Sequence, residues 1–323
     1  MDAKQHILEQ FLKEGVLLSP DALEKITEAN AEQMLERARS SRSLVFSMQE
    51  TMEGRRQETP SGQQPEHSLE VRKVQRKQKL SAQDFAKYYN ARFEGLRGML
   101  LRKMDGVMSV SNARKSASQV TTIGMMRETT PRGFIIEDTT GWAEVITKAE
   151  DVVPDDVIAV KGAVKEEKIF AEELVWPDIS MSHKHSRPDI DIILSEKDGH
   201  KGMAVITPEA VFDLFGKKHS LPNPGWVTIT KDGTAVTILV YRPGKPATQK
   251  EVLGWLKRRH LFPSREQIRG TEDPFLIEPI PDVVWIVQAE KFKESYKGVI
   301  IVSSDGKEPA KVNLEAGDVE FQD

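Results

Sequence analysis

The sequence predicts a multidomain α+β protein: a small N-terminal helical module, a five-stranded β-barrel, and a C-terminal domain of mixed helices and strands. Three observations carry that expectation. Ile7, Leu8, Phe11 and Leu12 recur at helical spacing near the N-terminus. Between residues 104 and 176 the apolar period changes to two. A polar, charge-rich segment separates the two regimes. With 323 residues the chain is long enough for two or three domains and a substantial core.

Composition narrows the function classes. Hydrophobic residues make up 38% and charged residues 30%, a polar balance. No apolar run approaches the ~18–20 residues that span a bilayer. The start, MDAKQHILEQFLKEG, reads as an amphipathic helix without the apolar segment and cleavage site of a signal peptide. A cytoplasmic protein with no membrane partner is therefore expected. Cysteine is absent, which excludes disulfides, thiolate metal sites and cysteine nucleophiles. The net charge of −4 confines any nucleic-acid surface to a local patch.

Each element follows in order. Residues 1–45 read as a helical interaction module, with Ser19-Pro20 as a helix start and Ala22, Leu23 and Ile26 as the next stripe. Residues 46–80 read as a flexible linker with a basic end at Arg72, Lys73, Arg76, Lys77 and Lys79. Residues 81–180 begin with a helix capped by Ser81, whose Phe85, Tyr89, Phe93, Leu96 and Leu100 share a face. Five β-branched segments follow, beginning at DGVMSVSNAR; short strands in this number suit an OB-type barrel. Residues 181–304 open with a polar connector. After it come a helix over ITPEAVFDLFGKK, a hairpin turning at Asp232-Gly233, a helix with a Thr248/Glu251 capping box, and two strands in 283–304 joined by a charged turn. Residues 305–323 read as a loose acidic tail.

Several segments then carry a resemblance. DVVPDDVIAVKGAVKEEKIFAEELVWPDIS (151–180), LKRRHLFP (256–263) and DPFLIEPIPDVVWIVQAEKFKESYKGVIIVSS (273–304) stand in the order of the small (B) subunit of archaeal family D DNA polymerase. The resemblance covers about 104–304, with gaps, and rests on the conjunction of Trp-Pro-Asp, Lys-Arg-Arg-His-Leu and Tyr-Lys-Gly-Val. It implies an OB fold followed by a calcineurin-like phosphoesterase domain, here degenerate and shortened. The archaeal family members are 3′–5′ exonucleases that need two metals ~3.5–4 Å apart. Their later His motif aligns with Tyr241 and Arg242, and their Gly-His-x-His with Val287-Gln288-Ala289-Glu290, where Gln288 and Glu290 stand and histidine is missing. Gly-Asn-His is absent, and the only Gly-Asp is Gly317-Asp318, near the C-terminus. The resemblance thus implies a lost metal site, with no catalytic residue, no metal and no cofactor.

What remains is binding. Trp176, Leu256, Lys257, Arg258, Arg259 and His260 are candidates for a contact with a polymerase large catalytic subunit. Other replication proteins are expected at residues 1–45. On the barrel, Arg114, Lys115, Arg127, Arg132 and Lys148 offer phosphate contacts, and Phe134 and Trp142 offer stacking rings, so single-stranded DNA is an alternative ligand. His183 and His185 lack a third ligand and read as solvated connector residues; His260 reads as a charge at a helix C-terminus. No Gly-x-Ser-x-Gly or nucleotide-loop motif occurs. The expected function is a non-catalytic accessory subunit in DNA replication or repair.

Overall fold

The computed structural model describes residues 17–18, 45–46, 67–73, 80–197, 204–213 and 216–322. The chain divides into two units, Met1–Gln64 and Pro65–Asp323. In the first, β1 (Leu17–Leu18) pairs in parallel with β2 (Val45–Phe46). The helices expected over 1–45, and most of the expected linker 46–80, lie outside the described residues.

The second unit opens with a strand where a linker was expected. β3 (His67–Val71) runs antiparallel to an edge of the C-terminal domain. Next comes α1 (Ala82–Leu101), started by the Ser81/Asp84 capping box. Its most buried side chains are Tyr88, Arg92, Phe93, Leu96, Met99 and Leu100; Phe85 and Tyr89 are only half-buried.

The segment DGVMSVSNAR is largely not a strand. It gives the two-residue β4 (Val107–Met108) and the short helix α2 (Val110–Lys115), because Asp138 Oδ2 accepts from Val110 N at 3.0 Å and draws the chain into a turn. Five strands follow: β5 (Gln119–Thr130), β6 (Gly133–Asp138), β7 (Gly141–Ile146), β8 (Val157–Lys165) and β9 (Lys168–Val175). β5 pairs with β6, β6 with β7, β7 with β9 and β9 with β8. β8 pairs with β5 in turn, so the pairings return to their first strand. Alternate residues, among them Phe134, Ile136, Ala143, Val145, Ile158, Val160 and Ile169, meet in one core. β8 shifts register at Lys161/Gly162, where a Cβ on Gly162 would come within 2.1 Å of the Phe170 carbonyl oxygen. On the outside, Leu96, Met99 and Leu100 of α1 cover Ile123, Val157 and Ala159.

The C-terminal domain holds two six-stranded sheets that share one core. Its strands are β10 (Asp191–Leu194), β11 (Ala204–Ile206), β12 (Ala210–Phe212), β13 (Lys218–Ser220), β14 (Gly225–Lys231), β15 (Thr234–Tyr241), β16 (Val283–Val287), β17 (Phe292–Tyr296), β18 (Val299–Ser304), β19 (Ala310–Asn313) and β20 (Asp318–Phe321). One sheet runs β13-β12-β11-β10-β19-β20, the other β17-β18-β16-β15-β14-β3. Ile192, Leu194, Ile206, Val211 and Val312 of the first meet Val227, Ile238, Trp285 and Val302 of the second. The second sheet's opposite face, with Leu239, Tyr241, Val284, Ile286 and Ile301, is covered by α3 (Gln249–Arg258), by Tyr88 of α1, and by Phe275 and Ile277.

Three expectations are corrected here. The described part of ITPEAVFDLFGKK is not helical: Thr207 Oγ1 bonds both the N–H and the carbonyl of Ala210 at 3.0 Å, which closes a turn between β11 and β12. The charged turn within 283–304 is itself the strand β17, which forms the hairpin with β18 through Lys297 and Gly298 in left-handed conformations. β16 and β18 consequently run parallel. The acidic tail is a β-hairpin: β19 pairs with β10, and Ala310, Val312, Leu314 and Val319 are buried.

Candidate functional site

Three places gather the residues singled out by the sequence. The first is the carboxyl end of the parallel strands β15, β16 and β18, where open sheets commonly bind ligands. The residue there is Gln288, buried and bonded through both atoms of its amide. Its Oε1 accepts from Ala247 N at 2.8 Å, and its Nε2 donates to Ala247 O at 2.7 Å and to Ser303 Oγ at 3.1 Å. Ser303 Oγ donates to the Glu290 carbonyl at 2.6 Å, while the Glu290 side chain is exposed. Tyr241 is buried and donates to Gln267 Oε1 at 3.2 Å; burial pushes its phenol up, against the pull of that bond. The Arg242 backbone is held by Asn223 on both its N–H and its carbonyl. Amides and hydroxyls, bonded to backbone, thus fill this end of the sheet. Among the described residues no group of three or more His, Asp or Glu is placed to hold a metal. One motif was missed by the sequence reading: Asp198-Gly199-His200 is an Asp-x-His that follows β10, and it lies outside the described residues.

The second place is the junction of the β4–β9 sheet with the C-terminal sheets, which takes up the candidates for a partner surface. Lys257 bonds Asp151 at 2.7 Å and lies 3.6 Å from the Trp176 ring centroid. Arg258 Nε bonds the buried Asp156 at 2.8 Å, and Trp176 Nε1 donates to the same carboxylate at 3.3 Å. Leu256 is buried. Arg259 caps α3 in a left-handed conformation with its Nε donating to Ile277 O at 2.6 Å; burial lowers its pKa to about 10. These side chains therefore join the chain to itself: Lys257 and Arg258 find their counter-charges on the loop 151–156, and Arg259 bonds the carbonyl of Ile277.

At the centre of the junction lies a network the sequence did not disclose. Arg92 of α1 is 3% exposed and bonds Asp273 at 3.2 Å, Asp155 at 3.3 Å and Tyr88 Oη at 3.2 Å. His260, completely buried, bonds Asp273 through Nε2 at 2.8 Å and accepts the Phe262 N–H on Nδ1. That pairing defines the neutral tautomer with its proton on Nε2. Burial lowers the His260 pKa, overriding the pull of Asp273. Burial opposes the Asp273 charge, but His260, Arg92 and the Phe275 N–H outweigh it and hold the carboxyl low. His260 is thus an internal hydrogen-bond donor to Asp273 and not an exposed helix-end charge. His185 is likewise internal: Nδ1 lies 3.3 Å from Asp282 Oδ1 and Nε2 3.0 Å from Lys297 O, and His183 packs edge-on against it. The connector histidines were expected in solvent; the buried Asp282 draws His185 inward.

The third place is the surface of the β4–β9 sheet. Phe134 is 2% exposed and sits in the core, so its ring is no stacking platform. Trp142 is 47% exposed, and the Arg114 guanidinium lies over it at 4.6 Å while pairing with Glu167. Arg127 is exposed between Glu128 and Glu137. Lys115, Arg132 and Lys148 are exposed. The basic candidates are thus mostly dispersed among carboxylates; only Arg114 and Trp142 come together.

Comparison with known proteins adds two relatives. A DNA polymerase II small subunit of Archaeoglobus fulgidus is 27% identical over 132 residues, covering 38% of this chain and 27% of that protein. One of Thermoplasma acidophilum is 26% identical over 191 residues, covering 54% of this chain and 38% of that protein. The chain therefore matches well under half the length of these curated relatives. No family model matches. Among the described residues, no helix is long and apolar enough to cross a membrane.

Proposed function

We propose that this chain is a non-catalytic accessory subunit of a DNA polymerase, a small-subunit type whose work is to hold a catalytic subunit during replication or repair. The observation that carries the reading is Gln288. At the strand end where the resemblance implies metal-binding histidines, a neutral amide stands instead, its oxygen held by Ala247 N–H and both its N–H donors spent on Ala247 O and Ser303 Oγ, so that no imidazole nitrogen is offered to a cation there. The names of the two relatives support the polymerase context. The ring of pairings among β5–β9 supports an OB-type barrel, and the paired sheets with α3 outside support a shortened phosphoesterase-like domain. A scaffold survives loss of such a site because the ligands sit at strand ends while the two-sheet core carries the fold.

The test is affinity capture of the full chain from its native host at moderate salt. Recovery of a polymerase catalytic subunit in equal amount is the expected result, together with no manganese-dependent exonuclease activity. Activity abolished by Asp198→Ala or His200→Ala would overturn the non-catalytic reading.

A second reading is favoured by one observation, the exposed Trp142 beneath Arg114: binding of single-stranded DNA on the barrel. A steeply salt-dependent affinity for oligonucleotides, lost in Trp142→Ala, would support it.

A further inference from the structure

A pocket of about 480 Å³ opens between α1, the barrel loop at Asp155 and the segment after α3. Its size lies within the range of ordinary ligand sites, roughly 300–1,000 Å³. Phe85, Tyr89, Phe262 and Ile268 form the walls. Arg92 and Asp155 form part of the lining, and Arg92 is fixed by the carboxylates of both Asp155 and Asp273. Two lining residues, Asp155 (φ 69°) and Phe262 (φ 46°), are held in the left-handed region, which is uncommon for a bulky side chain such as phenylalanine. Strained backbone of this kind concentrates at ligand clamps.

The charge balance decides what fits. Arg92 and Asp155 satisfy each other. Arg265 is exposed and its guanidinium lies over the Phe85 ring at 5.4 Å, with no side-chain hydrogen bond or ion pair to a described residue. The pocket therefore combines apolar walls with one guanidinium whose donors await an acceptor. A nucleic-acid strand fits poorly. The Phe85 and Tyr89 rings are half-buried walls of the pocket, not exposed platforms for successive bases. Among the described lining residues, one guanidinium, Arg265 beside Glu266, stands without a carboxylate partner, which makes no track for successive phosphates.

We infer that this pocket receives an aliphatic or aromatic side chain of the polymerase catalytic subunit, on a peptide segment whose carboxylate bonds Arg265. The inference rests on the accessory-subunit reading and names the contact that reading requires. Three elements locked together by Arg92 pre-form the pocket, so little ordering is needed on binding.

The test is photo-cross-linking in the native host with p-benzoylphenylalanine introduced at Ala82, which lines the pocket and is exposed. The expected adduct is a segment of the catalytic subunit with an apolar residue flanked by Asp or Glu. A synthetic peptide of that segment then binds the full chain, and Arg265→Glu weakens it about tenfold or more, as for loss of an interfacial charge pair. Exchanging the peptide's acid for lysine restores binding to Arg265→Glu, an effect that mere misfolding cannot produce. A catalytic subunit that co-purifies in equal amount but leaves no adduct at Ala82 overturns this inference and leaves the accessory reading intact. Adducts to DNA, or an unchanged affinity in Arg265→Glu, also overturn it. An acidic, apolar segment captured from some other protein, with no catalytic subunit recovered, overturns the accessory reading instead.

Discussion

Replacing Arg92 with methionine tests whether the β4–β9 sheet and the C-terminal sheets are held together by one buried charge network. Methionine keeps much of the side-chain volume but removes the donors to Asp273, Asp155 and Tyr88. Breaking a buried pair from one side typically costs about 3–5 kcal/mol. Asp273 keeps two donors, His260 Nε2 at 2.8 Å and the Phe275 N–H at 3.0 Å, so the lower end applies, about 3 kcal/mol. For a unit of this size each kcal/mol moves the melting temperature roughly 2–4 °C, which gives about 6–12 °C. Calorimetry on Arg92→Met, Asp273→Asn and the double variant measures it. The double variant should be less destabilised than the sum of the singles by roughly 0.5–3 kcal/mol, because the two residues share one interaction. A single-variant shift under about 2 °C, or strict additivity, would refute the reasoning.

The same network sets a pH dependence. His260 is held neutral by burial, so the folded chain binds fewer protons there than the unfolded chain, and stability falls as the pH drops through the unfolded value of about 6.5. Asp273, held low, adds a further loss only below about pH 4. Urea midpoints between pH 7 and 5 should fall less steeply in His260→Asn than in the wild type. Gln288→Glu sets a carboxylate oxygen against the Ala247 carbonyl in place of a donor, and a loss of about 2–3 kcal/mol in denaturant titrations is expected. Truncation after Ser304 removes buried Val312, Leu314 and Val319, at about 1.5–3 kcal/mol each; that approaches the whole stability of a domain, and the far-UV spectrum should show loss of native sheet. Trp142→Ala, at an exposed site, should change stability by about 1 kcal/mol or less, the scale of its cation–π contact, so any larger loss of oligonucleotide affinity reports binding.

What the sequence disclosed was local. Ser81, and Thr248 with Glu251, started their helices as written, and Asp232-Gly233 turned its hairpin. Errors arose where a distant partner decided the outcome. Val312 and Val319 gave too short an apolar signal to read as strands, yet pairing with β10 buries them. The 283–304 stretch contained its strands but not their order, because parallel pairing of β16 with β18 depends on β17 taking the outer place. Site residues followed the same rule. Lys257, Arg258 and His260 were conspicuous as a basic run, but only the fold shows that Asp151, Asp156 and Asp273 answer them. Arg92, in an ordinary amphipathic helix, carried no signal at all.

The pairing of β10 with β19 also has a consequence for the order of synthesis. Chains fold as they leave the ribosome, N-terminal parts first. The ring β5–β9 has all its partners once Val175 has emerged. The sheet around β10 does not: its neighbour β19 ends at Asn313 and the edge strand β20 at Phe321, more than a hundred residues after β10, so the nascent sheet must wait for both. Until then β10 presents a bare, apolar edge of the kind that pairs with other chains. Closure of this sheet is thereby tied to the emergence of Asn313 and Phe321, and a chain released before them carries an open sheet edge that marks it as unfinished.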